Sequence, residues 1–97
     1  MIAAFVTFQL DDQFDAEAVR AAAEKVQGSF VGVPQLRNKI FTIDEAHKRA
    51  VNVYVWETEQ AALAFFDDAL IERATQLYGV KPQLVLADVA ALVDNSH

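Results

Sequence analysis

Residues 50–66, which read AVNVYVWETEQAALAFF, contain the junction that decides the fold. The first half is rich in β-branched and aromatic residues, which is typical of a strand, and we place this strand over Ala50–Glu57. Thr58 is a candidate N-cap, and the alanine-rich stretch after it favours a helix. A strand that leads directly into a helix predicts a fold in which a sheet and helices pack together.

Similar elements are expected on both sides of this junction. Asp15 is a candidate N-cap for a first helix, and the charged run over 44–49 forms the tip of a hairpin. The expected elements are strands over 2–10, 35–43, 50–57 and 84–89, and helices over about 16–27 and 58–79. The tail over 94–97 is expected to fray.

The second helix has an apolar stripe at helical spacing, formed by Leu63, Phe66, Leu70, Ala74 and Leu77. Asp67 and Asp68 can break this helix into two pieces, because aspartate favours a cap over a helix interior.

The resulting order, βαββαβ, predicts an α+β protein of the ferredoxin-like type. Connection rules turn this order into a four-stranded antiparallel sheet with both helices on one face. The chain has 97 residues, which suits a single domain over residues 1–97.

The hydrophobic content, 54% of the chain, predicts a partner. Closing the hairpin symmetrically about 46–47 places Ile40 opposite Val53, with large apolar side chains on both faces of the sheet. Two helices cover only one face of the sheet. The apolar surface left exposed on the other face would be larger than soluble monomers usually tolerate. We therefore expect a homodimer with the sheets packed face to face. The alternative is that the extra apolar residues lie at strand ends under loops.

Charge and composition exclude several classes of function. The net charge of −6 would repel a phosphate backbone, so nucleic acid is not an expected partner. The chain has no cysteine, which excludes disulfides, zinc-thiolate sites and thiol nucleophiles. The apolar run at the N-terminus is too short to span a bilayer and lacks the flanking residues of a targeting signal. No membrane association is expected, and the expected location is the cytoplasm.

The chain resembles a known family at this junction and near its last strand. The strand Val53–Trp56, the helix start over 57–66 and the later segment Leu77–Val80 look like those of dimeric α+β barrel proteins, above all the YdhR-type monooxygenases, relatives of the antibiotic-biosynthesis monooxygenases. The resemblance implies the same fold and a homodimer. It also implies oxygenase chemistry on a small hydrophobic or aromatic compound.

The same resemblance implies that no cofactor is needed. Members of that superfamily include oxygenases of aromatic polyketides that use neither metal nor flavin. Its haem-degrading members use an Asn, Trp and His set, and here no histidine follows Trp56 on the helix. His47 on the hairpin tip and His97 at the terminus have no paired spacing, so no metal site is expected either.

One face of the predicted hairpin combines aromatic, amide and basic side chains, namely Arg37, Lys39, Phe41, Asn52, Tyr54 and Trp56. The opposite face carries Leu36, Asn38, Ile40, Thr42, Val51, Val53 and Val55. Aromatic walls with a few directed polar groups suit a pocket for a planar organic molecule. Which of the two faces meets the helices is open from the sequence.

Each of these side chains has an expected role. Trp56 and Phe41 would stack on the ligand, and Tyr54 and Asn52 would hydrogen-bond a carbonyl or phenol. Either basic residue, Arg37 or Lys39, would stabilise an anion. The catalytic candidates are Tyr54, Trp56, Asn52 and Asp88, and the substrate-binding candidates are Phe41, Arg37, Lys39 and Phe66. The alternative is that the aromatic residues are core or dimer packing.

Asp88 is the candidate general base. It follows apolar residues of the last strand, and burial there would raise its pKa. The alternative is that it faces water or pairs with an arginine.

Two rival functions also stay open: a lyase or isomerase with the same fold, and a dimeric binding or structural module without turnover.

Overall fold

The computed structural model describes residues 1–95 of the chain. Ser96 and His97, the last two residues of the predicted frayed tail, lie outside the described residues. The elements are β1 (Ile2–Gln9), α1 (Ala16–Val26), β2 (Leu36–Asp44), β3 (Arg49–Trp56), α2 (Glu59–Phe65), α3 (Asp68–Tyr78) and β4 (Gln83–Asp88).

The four strands form one antiparallel sheet in the order β2-β3-β1-β4. The predicted ferredoxin-like α+β fold is confirmed. The β2–β3 hairpin forms one half of the sheet, with β2 at the edge and β3 next to β1. Because β1 and β3 lie in the middle, side chains of β3 face the helices along the most enclosed part of the sheet.

The helices begin at the expected caps. Asp15 accepts hydrogen bonds from the backbone N–H groups of Glu17 and Ala18, and the Thr58 hydroxyl accepts one from Ala61. The aspartate break is confirmed: α2 ends at Phe65, and Asp67 caps α3 by accepting from the Leu70 N–H at 2.8 Å. Residues 1–95 therefore contain three α-helices, and none of them is long and apolar enough to cross a membrane.

The register of β3 confirms the symmetric hairpin over most of its length. Ile40 pairs with Val53, and the pairing continues without a shift from Asn38 to Asp44. It fails at the start of β2, where a bulge between Leu36 and Asn38 places Leu36 opposite Trp56. The prediction that Arg37 occupies the Trp56 face and Leu36 the opposite one is therefore wrong, because the bulge inserts an extra residue into β2.

The helices cover the face that carries Asn52, Tyr54 and Trp56. All three side chains are buried, as are the alternate residues of β1 that share this face, namely Ile2, Ala4, Val6 and Phe8. Helical residues such as Val19 and Ala62 complete this core. The sequence did not decide which face of the hairpin meets the helices. In the structure it is the face with Asn52, Tyr54 and Trp56, so these side chains lie between the sheet and the helices.

The opposite face of the sheet is not covered by helices. Phe5 in β1 is 37% exposed, Ile40 in β2 is 53% exposed and Val85 in β4 is 58% exposed. These apolar side chains come from three of the four strands, so the exposed groups extend across the width of the sheet.

Candidate functional site

A cavity of about 550 Å³ lies between the sheet and the helices. Its walls include Val6, Phe8, Val26, Phe30, Lys39, Phe41, Asn52, Tyr54, Phe65, Phe66, Leu70, Ile71, Ala74, Leu77 and Tyr78. This volume falls within the range of small-molecule pockets, and the walls are mostly apolar with a few polar groups.

A cluster of aromatic rings forms one wall. Phe66, in the break between α2 and α3, meets the Tyr54 ring edge to face at 4.9 Å between centroids. Phe65 lies 5.8 Å from Tyr54 and 4.9 Å from Trp56. Because the break after Phe65 turns two consecutive phenylalanines toward the same strand, the local helix end shapes this wall.

Lys39 occupies a cage of aromatic rings. Its Nζ atom lies 3.5 Å from the centroid of Phe30 and 4.1 Å from those of Phe41 and Tyr54. The same atom donates a hydrogen bond of 2.6 Å to Tyr54 Oη. The strand register brings these two side chains into contact, because Lys39 and Tyr54 are directly paired across β2 and β3.

Burial shifts the protonation of this pair in opposite directions. Loss of solvent lowers the pKa of Lys39 to about 7. The aromatic faces oppose this shift, because they stabilise the ammonium form. Burial raises the pKa of Tyr54, with a smaller contribution from the charge of Tyr78. Near neutral pH the pair is therefore a phenol beside an amine that can gain or lose a proton.

A second polar pair lies on the same wall. Asn52 Nδ2 donates to Tyr78 Oη at 3.4 Å, and the Tyr78 ring stacks on Phe8 at 3.9 Å between centroids. Burial raises the pKa of Tyr78, while the hydrogen bond from Asn52 acts the other way. Asn52 is 3% exposed, and its Oδ1 atom has no hydrogen-bond partner in residues 1–95. This carbonyl oxygen is therefore a buried acceptor without a donor in those residues.

The structure brings most of the predicted site residues together. Lys39, Phe41, Asn52, Tyr54 and Phe66 all line the cavity. Their roles in binding and catalysis stay predictions, but their shared location follows directly from the register of β3 and the end of α2.

Three predicted residues lie elsewhere. Trp56 is buried behind the cavity wall, with its ring nearly parallel to that of Tyr54 at 6.1 Å, and its Nε1 atom has no partner in the described chain. Arg37 is exposed at the bulge and does not line the cavity, but it borders an adjoining recess that shares Phe30, Lys39 and Phe41 with it. Asp88 is exposed at the end of β4, so the burial on which its predicted role depends is absent.

The sequence did not single out three aromatic residues of the site: Phe30, Phe65 and Tyr78. Tyr78 continues the helical stripe from Leu70 and Ala74 at intervals of four, so its spacing was a usable signal. Phe30 ends a short 3-10 turn over Gln27–Phe30, in a region that has no periodic pattern.

Metal ligands do not cluster in the described part of the chain: no group of three His, Cys, Asp or Glu side chains comes together there. On the hairpin tip, Asp44 contacts His47 and Arg49, each at 2.9 Å. This tip lies at the far end of the hairpin from Trp56. Burial opposes the charged form of Asp44, but the bonds from Arg49 and His47 outweigh it and lower the pKa.

The four-stranded sheet has its helices on one face and a cavity between the two layers. This architecture defines a ferredoxin-like α+β protein. Residues 4–83 match the family model described as "Putative mono-oxygenase ydhR", and the chain belongs to this family. The family that the sequence resembles is thereby confirmed.

Two solved structures extend the comparison. The monooxygenase from the gene ActVA-Orf6 of Streptomyces coelicolor, in complex with nanaomycin D, is 25% identical with a TM-score of 0.70; the match covers 98% of this chain and 92% of that one. SnoaB, a cofactor-independent oxygenase from Streptomyces nogalater, is 13% identical with a TM-score of 0.68, and 95% of each chain is covered. No curated protein matches the sequence.

The protonation of Lys39 predicts how stability depends on pH. In the unfolded chain this amine stays protonated up to about pH 10, whereas the folded protein releases the proton near pH 7. Unfolding between these values therefore takes up about one proton at Lys39, and the free energy of unfolding rises with pH. Lys39→Met should remove this contribution, as measured by urea unfolding at pH 7, 8 and 9.

Lys81→Met is the matched control, because Lys81 is exposed and lies outside the cavity. It should keep the wild-type dependence on pH. The same slope in Lys39→Met as in the wild type would show that the folded protein does not lower the pKa of this amine.

Proposed function

We propose that this chain is a homodimeric, cofactor-independent monooxygenase that acts on a small planar aromatic compound. The observation that carries the proposal is the cavity of about 550 Å³ between sheet and helices, with aromatic walls and two polar pairs. Its mostly apolar and aromatic lining suits an aromatic molecule, and its polar groups can orient a carbonyl or hydroxyl of that molecule.

The chemistry of such a substrate needs few groups from the protein. An electron-rich aromatic compound that has lost a proton can pass an electron to O₂, so the substrate supplies the electrons. A ring CH₂ group becomes a carbonyl with one oxygen atom of O₂, and the other oxygen leaves as water with the two hydrogens. The protein has to bind the substrate, orient it and exclude water.

The cavity residues have distinct roles in this proposal. Phe41 and Phe66 hold the aromatic plane, and Tyr54 and Asn52 orient its polar groups. The cation of Lys39 stabilises the substrate anion. Trp56 acts as a positioning residue, because its ring supports Tyr54 and Phe65 from behind the wall.

The comparisons support this choice among the chemistries possible on the fold. The ActVA-Orf6 monooxygenase holds nanaomycin D, and SnoaB is described as a cofactor-independent oxygenase. Family membership adds a reason to look for oxygen chemistry in this cavity first.

Oxygen uptake tests the proposal directly. With a panel of anthrones, the purified protein should consume O₂ and form one new ring carbonyl per O₂ without added metal, flavin or reductant. Tyr54→Phe should lower kcat about 10²-fold, the size expected for loss of one positioned hydroxyl at a reacting centre. Trp56→Phe should have a smaller effect, since Trp56 does not line the cavity.

Gln76→Ala, an exposed change on α3, is the control and should keep wild-type turnover. Turnover that persists under nitrogen would overturn the oxygenase proposal in favour of a lyase or isomerase. Tight binding of these compounds without turnover would instead indicate a binding module.

The homodimer in this proposal rests on the uncovered face of the sheet. Phe5, Ile40 and Val85 are all more than a third exposed on that face. Burying such a surface is favourable by about 25 cal/mol per Å², and a second copy offers a matching apolar sheet. Face-to-face packing of two sheets also leaves both cavities intact, because each lies on the opposite side of its own sheet.

Phe5→Glu should weaken this dimer. The carboxylate faces solvent in a monomer but would be buried without a partner in the interface. Light scattering should give twice 10.7 kDa for the wild type and for Gln76→Glu, and 10.7 kDa for Phe5→Glu at micromolar concentration. A wild-type mass of 10.7 kDa would refute the dimer.

A further inference from the structure

The cavity is lined by basic side chains although the protein is acidic. The chain has 14 acidic and 8 basic residues, yet the cavity is lined by Lys25, Lys39 and Arg73 and by no acidic residue. An adjoining recess of about 390 Å³, which Lys39 also borders, adds Arg20 and Glu24. This reversal of the overall charge favours an anionic group on the ligand.

Lys39 differs from the other basic residues of the cavity because it is partly buried and lacks an acidic partner. Lys25 and Arg73 are exposed. Within residues 1–95 no carboxylate lies within 4.0 Å of the Lys39 amine, and its one hydrogen bond goes to Tyr54. A buried cation without a counter-charge is costly, so the folded protein favours either the neutral amine or an anion from a ligand.

We propose that Lys39, held in place by Tyr54, is the proton acceptor that ionises the hydroxyl of a bound phenol or enol, so that the cavity holds this class of ligand as its anion. The proposal rests on the proposed function and names the step that precedes the reaction with oxygen.

The step is a proton transfer without redox chemistry. The O–H bond of the ligand breaks, its electron pair stays on oxygen, and the proton forms a new N–H bond with the lone pair of the neutral amine. The products are an ammonium ion and a phenolate in contact. This ion pair replaces the missing counter-charge of Lys39, and the rings of Phe30 and Phe41 stabilise the ammonium form.

The surrounding groups fit this assignment. The pKa of the amine, about 7, leaves it mostly neutral slightly above neutral pH. Burial raises the pKa values of Tyr54 and Tyr78, so both phenols stay protonated. Tyr54 Oη accepts the hydrogen bond from Lys39, which leaves the lone pair of the neutral amine free for a ligand. The basic side chains of Arg73 and Lys25 also line the cavity and favour an anion at longer range. Asp88, the base expected from the sequence, is exposed and outside the cavity.

The test uses 2-naphthol without oxygen at about pH 8, where the free ligand is neutral and its anion absorbs at longer wavelength. Two readouts are needed: the absorbance of the bound ligand and the number of protons released, from calorimetry in buffers of different ionisation enthalpy. The wild type should bind naphtholate and release close to zero protons, because Lys39 keeps the proton.

Two variants separate a proton acceptor from a fixed cation. Lys39→Arg should still bind naphtholate but release about one proton per ligand, because a guanidinium cannot accept it. Lys39→Met should bind neutral naphthol and release none. Lys81→Met, outside the cavity, should behave as the wild type.

Three outcomes would overturn the proposal. Release of about one proton by the wild type would show that Lys39 is already charged and accepts nothing. Neutral naphthol bound to the wild type would show that no ionisation occurs. Both results leave the oxygenase proposal standing, since oxygen is absent from the experiment. Failure of the wild type to bind naphthol at all would count against both.

Discussion

The register of the central strand β3 is the constraint on which the rest of the structure depends. Its pairing with β1 and β2 turns Asn52, Tyr54 and Trp56 toward the helices and leaves Val53 on the other side. A shift by one residue would exchange the two faces, because side chains alternate along a strand. One register therefore determines the aromatic wall, the cavity and the apolar outer face together.

A single amine links this packing to chemistry. Lys39 lies opposite Tyr54 because β2 pairs with β3, and it is desolvated because Phe30 and Phe41 close around it. In our proposal this amine, which lies among aromatic rings, accepts the proton of a bound phenol. The protein then needs no cofactor in our proposal, since the ionised substrate itself reduces oxygen.

Much of the fold follows from the sequence. The hairpin register from Asn38 onward, the caps at Asp15 and Thr58, and the break at Asp67 all follow from local patterns, since alternation and capping are short-range properties. No local sequence pattern indicates the bulge before Asn38, so alternation along β2 assigns Arg37 to the wrong face of the sheet. Phe30 and the environment of Asp88 were missed because only packing in three dimensions determines which side chains share the cavity.

The protonation of Lys39 in the folded protein is the most direct test of this account. Lysine labelled with ¹³C at Cε allows the titration of each amine to be followed by NMR, and the Lys39 signal is identified by its loss in Lys39→Arg. The account predicts a titration midpoint near pH 7 for Lys39. A midpoint for Lys39 at about 10.5, as in a solvated lysine, would contradict it.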